Sequence, residues 1–228
     1  PQPAVLKYNL LNISVYSVGE RGGDMTTFYF VRHGKTEINA EGRFNGGTVD
    51  SPLVPSGVVA TQKMAEHLKN VSFDLALASP QQRAQTTAEI ILAENEQAPQ
   101  LTIVEELREL RLGDWDGQPI EQIKANYPQE LIYYRTRPDL FDAQRFHAED
   151  YQTLITRSMQ VIETTAKNQP EGNVLVVTHG ILLIALLNTL KGLPLAKIRE
   201  GGIVDNSSLT ILNYSEGKVL FETWGQTF

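Results

Sequence analysis

Cysteine is absent from the 228 residues, which excludes disulfides and thiol chemistry and suits a cytoplasmic protein. Basic residues are in deficit, with 20 Lys and Arg against 27 Asp and Glu and a net charge of −7. Such a balance argues against an extended nucleic-acid surface and leaves room for a local positive pocket. No segment approaches the roughly 20 consecutive apolar residues that a membrane helix needs. The apolar run from Ile181 to Leu187 is far shorter and follows a strand-like segment, so it reads as a buried helix. Histidine is scarce at four, and no HxH or HxxxH pair suggests a metal site. Internal repeats and low-complexity tracts are missing as well. What remains, with 41% apolar and 21% charged residues, is ordinary globular composition at a length that fits one domain.

Two of the four histidines stand at matching places. The β-prone run Phe28-Tyr29-Phe30-Val31 stops at Arg32-His33-Gly34, and Val174-Leu175-Val176-Val177-Thr178 runs into His179-Gly180. The carboxyl end of a parallel strand is where open α/β sheets bind ligands. Either histidine alone would fit a hydrogen-bonded rim residue; the repeated device points to a site.

Two further segments add chemistry. In Asp74-Leu75-Ala76-Leu77-Ala78-Ser79-Pro80-Gln81-Gln82-Arg83, a short strand is expected to end at Ser79. Ser79 reads as a helix N-cap, with Pro80 at the first helical position and Gln82 completing a capping box. Arg83 would then lie one turn into the helix beside free N–H groups, a combination that suits phosphate. In Leu107-Arg108-Glu109-Leu110, Glu109 is flanked by leucines and followed by the Gly-bracketed turn Gly113-Asp114-Trp115-Asp116-Gly117. A carboxyl shielded in that way has a raised pKa and is a candidate general acid.

Taken together, these pieces resemble the histidine phosphatase superfamily, the phosphoglycerate-mutase-like clan. The resemblance is carried by Arg32-His33-Gly34-Lys35-Thr36-Glu37 with Asn39 and Gly42-Arg43-Phe44, by Asp50-Ser51-Pro52-Leu53, and by Ser79-Pro80 with Arg83-Ala84 and Thr86. Leu107-Arg108-Glu109, Trp115-Asp116-Gly117 and Thr178-His179-Gly180 complete it in the family's order. It implies that His33 is a nucleophile forming a phosphohistidine, its other ring nitrogen donating to a backbone carbonyl. Arg32, Arg83 and His179 would surround the phosphoryl oxygens, and Glu109 would protonate the leaving oxygen. Thr36 and Asn39 are implied as lesser pocket contacts, and Gly34 and Gly180 let the backbone approach closely. Neither a metal nor an organic cofactor is called for.

The cofactor-dependent mutases follow their acid with Arg-His-Tyr-Gly-x-Leu-x-Gly. Here Arg111-Leu112-Gly113-Asp114-Trp115-Asp116-Gly117 stands instead, without a long insertion, which looks like the phosphatase branch. Ile38 replaces the family's usual Trp, and Asp116 its usual Glu; Arg145 to Asp150 replaces a glycine-rich segment. The expected partner is a small phosphorylated substrate, with no nucleic acid and no membrane. A homodimer is left open, since the site needs no second subunit.

Strands alternating with helices predict a three-layer α/β/α sandwich, its central sheet mostly parallel. A hairpin from Ser207 to Asn213 and Val219 to Trp224, turning at Gly217, would add an antiparallel edge. Helices are expected over Ser56 to Leu68, Pro80 to about Glu94, about Glu149 to Lys167, and Ile181 to Leu190. Residues 25–228 are read as the catalytic domain. Residues 1–24, joined to it by Gly19-Glu20-Arg21-Gly22-Gly23-Asp24, are read as an extension or as an arm that pairs with a sheet edge. Tyr127, Tyr133, Tyr134, Arg135 and Arg137 lie in short helices that could cap the cleft.

Overall fold

The computed structural model describes residues 25–228 and the backbone of Ser14–Val15. The strands are β1 (Ser14–Val15), β2 (Thr26–Arg32), β3 (Leu75–Ala78), β4 (Leu101–Ile103), β5 (Asn173–Thr178), β6 (Leu209–Ser215) and β7 (Lys218–Gln226). The principal helices are α1 (Glu37–Ala40), α2 (Pro55–Leu68), α3 (Gln82–Glu94), α4 (Ile120–Asn126), α5 (Pro128–Thr136), α6 (Tyr151–Asn168) and α7 (Gly180–Leu190).

The seven strands form one sheet in the order β1-β7-β6-β2-β5-β3-β4. β2, β5, β3 and β4 run parallel, whereas β6 lies antiparallel to both β2 and β7. The β6–β7 hairpin turns at Glu216 and Gly217, both at positive φ (46° and 83°), a geometry that glycine accepts without strain. Ser14–Val15 pairs in parallel with Lys218 and Val219 at the outer edge. The rest of the proposed N-terminal arm lies outside the described residues.

Layering follows from the two-residue period of the strands. Val174 and Val176 of β5 join Phe28 and Phe30 of β2 on one face, covered by α6 and α7. Leu175 and Val177 join Val31, Ala76 and Ala78 on the other, covered by α2 and α3. Both faces of the central strands are therefore dry, so the strands read as continuous apolar runs. All eleven residues of α7 are buried, which explains its unbroken hydrophobicity. Among the described residues, no helix is long and apolar enough to cross a membrane.

Two helix starts differ from the sequence reading. α3 begins at Gln82, with Gln81 as its extended flanking residue, so Ser79 is not its N-cap and no capping box forms there. The Gln82 side chain instead donates to Thr86 Oγ1. α6 begins at Tyr151, capped by the Asp150 carboxylate accepting from Thr153 N at 2.8 Å. Glu149 is drawn out of the helix into a buried pair with Arg157, 2.8 Å away.

Candidate active site

Strand register brings three chain ends level. Arg32 pairs with Thr178 and Ala78 with Val177, and β5 is flanked by β2 and β3. His33 N then donates to Thr178 O (2.9 Å), and Ser79 N to Val177 O (3.0 Å). His33, His179 and Ser79 thus emerge side by side at the carboxyl edge, with the two imidazole centroids 5.2 Å apart.

His33 is buried, and its Nδ1 lies 2.8 Å from Gly34 O. A carbonyl only accepts, so Nδ1 carries the proton and Nε2 holds the lone pair. Burial first, then the nearby Arg83 and Arg32 charges, hold the imidazole well below the ordinary histidine pKa, so the ring is neutral. Gly34 is required behind it: an added Cβ would lie 2.8 Å from Thr61 Oγ1 and 3.1 Å from Gly57 O.

His179 is fixed in the opposite sense. Its Nε2 lies 2.6 Å from Ser79 Oγ, which also accepts from Gln81 N at 3.3 Å. Among the described residues the Ser79 hydroxyl hydrogen has no other acceptor, so it donates to Nε2 and leaves the proton on Nδ1. That Nδ1 is buried without a partner. Burial and the Arg83 charge keep this imidazole neutral too.

Arg32 closes the site on the α7 side. Its Nη1 donates to Val204 O (2.6 Å), and its guanidinium lies against Gly180, where a Cβ would sit 3.0 Å from Nε and 2.4 Å from Ile203 Cγ2. Arg83 enters from α3 with its side chain wholly buried. Its Nη1 donates to Val49 O and the Asp50 carboxylate, and its Nη2 to Asn45 O and Gly46 O. The free first-turn N–H groups expected beside Arg83 are partly claimed, because Gln82 N donates to Asp50. Nε of Arg32 and Nε of Arg83 are each buried without a partner among the described residues. Arg83 is the charge that most depresses both histidines.

Glu109 is buried between Leu107 and Leu110, where the flanking leucines place it. Its Oε1 accepts from Leu110 N (2.8 Å) and Leu182 N (3.0 Å), and its Oε2 from Ile181 N (2.9 Å). The carboxyl thus caps the N-terminus of α7. Burial raises its pKa more than these donors and Arg83 lower it. Oε2, with a single backbone donor, is the oxygen with room for a proton.

The sequence profile of the histidine phosphatase superfamily (branch 1) matches residues 28–227. The chain belongs to the histidine phosphatase superfamily. It is 33% identical over 170 residues to an uncharacterized phosphatase, PhoE, of Bacillus subtilis, covering 74% of this chain and 79% of that protein. It is 32% identical over 203 residues to a probable phosphoglycerate mutase, GpmB, of Yersinia pestis, covering 88% and 90% of the two chains. Bacillus stearothermophilus YhfR superposes with a TM-score of 0.81 at 29% identity, over 88% of this chain and 97% of that one. Relatives in this superfamily thus include proteins named as phosphatases and as mutases, and the chain is an enzyme of one or the other kind.

Arg32, His33, Arg83, Glu109, His179 and Gly180 converge in the structure. Thr36 and Asn39 cap α1: Thr36 Oγ1 accepts from Asn39 N and Asn45 Nδ2, and Asn39 Oδ1 accepts from Thr36 N and Oγ1, which engages the Asn39 carbonyl oxygen and not its amide NH₂. Sequence reasoning missed Ser79, hidden behind a convincing N-cap pattern, and Gln81. The Gln81 carboxamide donates to Gly46 O and Val49 O and accepts from Glu109 N, tying the Arg83 loop to the acid. Its only sequence signal was proximity to Arg83.

Proposed function

We propose that the protein hydrolyses small phosphomonoesters through a phosphohistidine on His33. The observation that carries this reading is the set of three buried N–H donors without protein partners: Arg32 Nε, Arg83 Nε and His179 Nδ1. Buried donors are almost always satisfied, so three around one neutral imidazole fit an anion with several acceptor oxygens. His33 Nε2 attacks phosphorus as the bond to the leaving oxygen breaks, and Glu109 Oε2 gives that oxygen its proton. The Glu109 carboxylate then takes a proton from water, which attacks the phosphohistidine and releases inorganic phosphate and the neutral ring. Arg32 and Arg83 supply the positive charge for the spread oxygens, so no metal or cofactor is assigned. A cytoplasmic setting suits this reading.

Similarity to a probable phosphoglycerate mutase favours a second reading, phosphoryl return to the released intermediate. The short Gly113–Gly117 turn after the acid supports hydrolysis instead, because it lacks the motif found there in cofactor-dependent mutases. The test is metal-free phosphate release across a panel of phosphomonoesters, with 3-phosphoglycerate followed for isomerisation. Multiple-turnover release supports hydrolysis; isomerisation with little free phosphate overturns it.

Ser79→Ala removes the group that sets the His179 tautomer while leaving the imidazole in place. A fall in kcat/KM of about 10-fold is expected, the scale of one hydrogen bond to a charged group. Unchanged kinetics in this variant would remove Ser79 from the site.

The pH profile of kcat/KM follows from two opposed shifts. His33 is depressed, so the neutral nucleophile persists as pH falls below 6.5 and is lost only further down. Glu109 is raised, so the protonated acid persists above 4.5 and is lost further up. A bell is expected with its acid limb below pH 6.5 and its basic limb above pH 4.5, and an acid limb at or above pH 6.5 would contradict the assignment of His33.

A further inference from the structure

Glu109 lies in a stretch without regular structure, between the 3₁₀ turns Glu105–Leu107 and Gly113–Trp115. Its backbone has no ladder to join, so the polar groups of the stretch must find partners elsewhere in the fold. Most of them find one pair of side chains. Arg157 on α6 donates through Nη1 to Glu106 O and through Nη2 to Glu109 O (3.3 Å). Glu149, just ahead of α6, accepts from Arg111 N through Oε2 (3.3 Å), and its own N–H donates to Arg111 O (2.8 Å). Of the groups between, Glu109 N donates to Gln81 and Leu110 O accepts from Gly47 N.

The two side chains act as one unit. Arg157 Nε meets Glu149 Oε1 at 2.8 Å and Nη2 meets Oε2 at 3.0 Å, a two-point geometry that fixes both planes. The Glu149 side chain is only 2% exposed. Apolar side chains of the same volume would fill this space as stably. They could neither accept from Arg111 N nor donate to the two carbonyls. Glu109 is thereby held from two sides: its carboxyl sits on Ile181 N and Leu182 N at the start of α7, and its carbonyl on Arg157 of α6. α6 and α7 pack against each other, so the acid is fixed relative to both helices.

We propose that Arg157, held by Glu149, is a positioning residue for proton transfer: it fixes the Glu109 backbone so that the carboxyl meets the leaving oxygen. The assignment rests on Glu109 being the acid of the hydrolytic reading above. Arg157→Lys keeps a charge beside Glu149, but one nitrogen cannot span the carboxylate and both carbonyls. The probes are the fastest alkyl ester of the phosphomonoester panel and 4-nitrophenyl phosphate, with rates normalised to folded protein. On the alkyl ester kcat is expected to fall about 10- to 100-fold, with KM unmoved and the aryl ester nearly unaffected. A merely structural role would lower both esters together. In a Glu109→Gln background, Arg157→Lys should cost the alkyl ester less than about 2-fold more, because the group it serves is gone. Equal loss on both esters, unchanged kinetics, or losses that multiply in the double variant would overturn the proposal. Glu109→Gln alone tells the two readings apart. If it divides the esters and Arg157→Lys does not, only the positioning role falls; if it lowers both equally, the acid reading falls and takes the proposal with it. Amide exchange of the wild-type protein needs no variant to fold: the Arg111 N–H should exchange within about 10-fold of the α6 amides. Exchange at the rate of free peptide would overturn the proposal.

Discussion

His33→Ala is expected to reduce phosphate release by at least about 10⁴-fold, the scale seen when a covalent nucleophile is deleted. No neighbouring group can take its place. His179 has its Nε2 lone pair directed at Ser79 and carries the proton on Nδ1, so it presents a donor and not a nucleophile. Glu109 has both oxygens on backbone N–H groups. The variant should still bind inorganic phosphate, because the Arg32, Arg83 and His179 donors do not depend on the His33 side chain. Steady-state phosphate release and a thermal shift with phosphate separate the two effects. Wild-type turnover in the variant would remove the nucleophile from the scheme.

Glu109→Gln should divide substrates by leaving group. An alkoxide must be protonated as it departs, whereas 4-nitrophenolate leaves well unaided, so alkyl phosphates should lose about 10²- to 10⁴-fold and the aryl ester far less. The amide can still accept from Ile181 N or Leu182 N, which limits the structural cost of the change. Its NH₂ group will meet one of those donors, so some loss of stability accompanies it. Kinetics on the two ester classes, normalised to folded protein, check the point. Equal losses on both would argue that Glu109 positions α7 and does not donate a proton.

Much of the site was legible because its residues sit where regular structure stops. A strand that reads as an apolar run has a predictable end, and Arg32-His33-Gly34 and His179-Gly180 mark two of them. Register could not be read from one sequence, yet it is register that sets Ser79 beside His179, 100 residues away in the chain. Ser79-Pro80 has the local chemistry of a helix start, and tertiary hydrogen bonding overrode it. Glu109 was visible as a shielded acid, but its seat on the first turn of α7 was not, since 72 residues separate it from Ile181.

The central claim is that phosphorus passes through His33, and trapping the intermediate tests it most directly. The enzyme would be mixed with substrate in excess, quenched in alkali on the millisecond scale, digested and sequenced by mass spectrometry. A phosphoryl group on the His33 peptide, stable to base, labile to acid and formed at least as fast as steady-state turnover, is the expected result. Phosphate release with no adduct, or an adduct on His179 or another residue, would contradict the account.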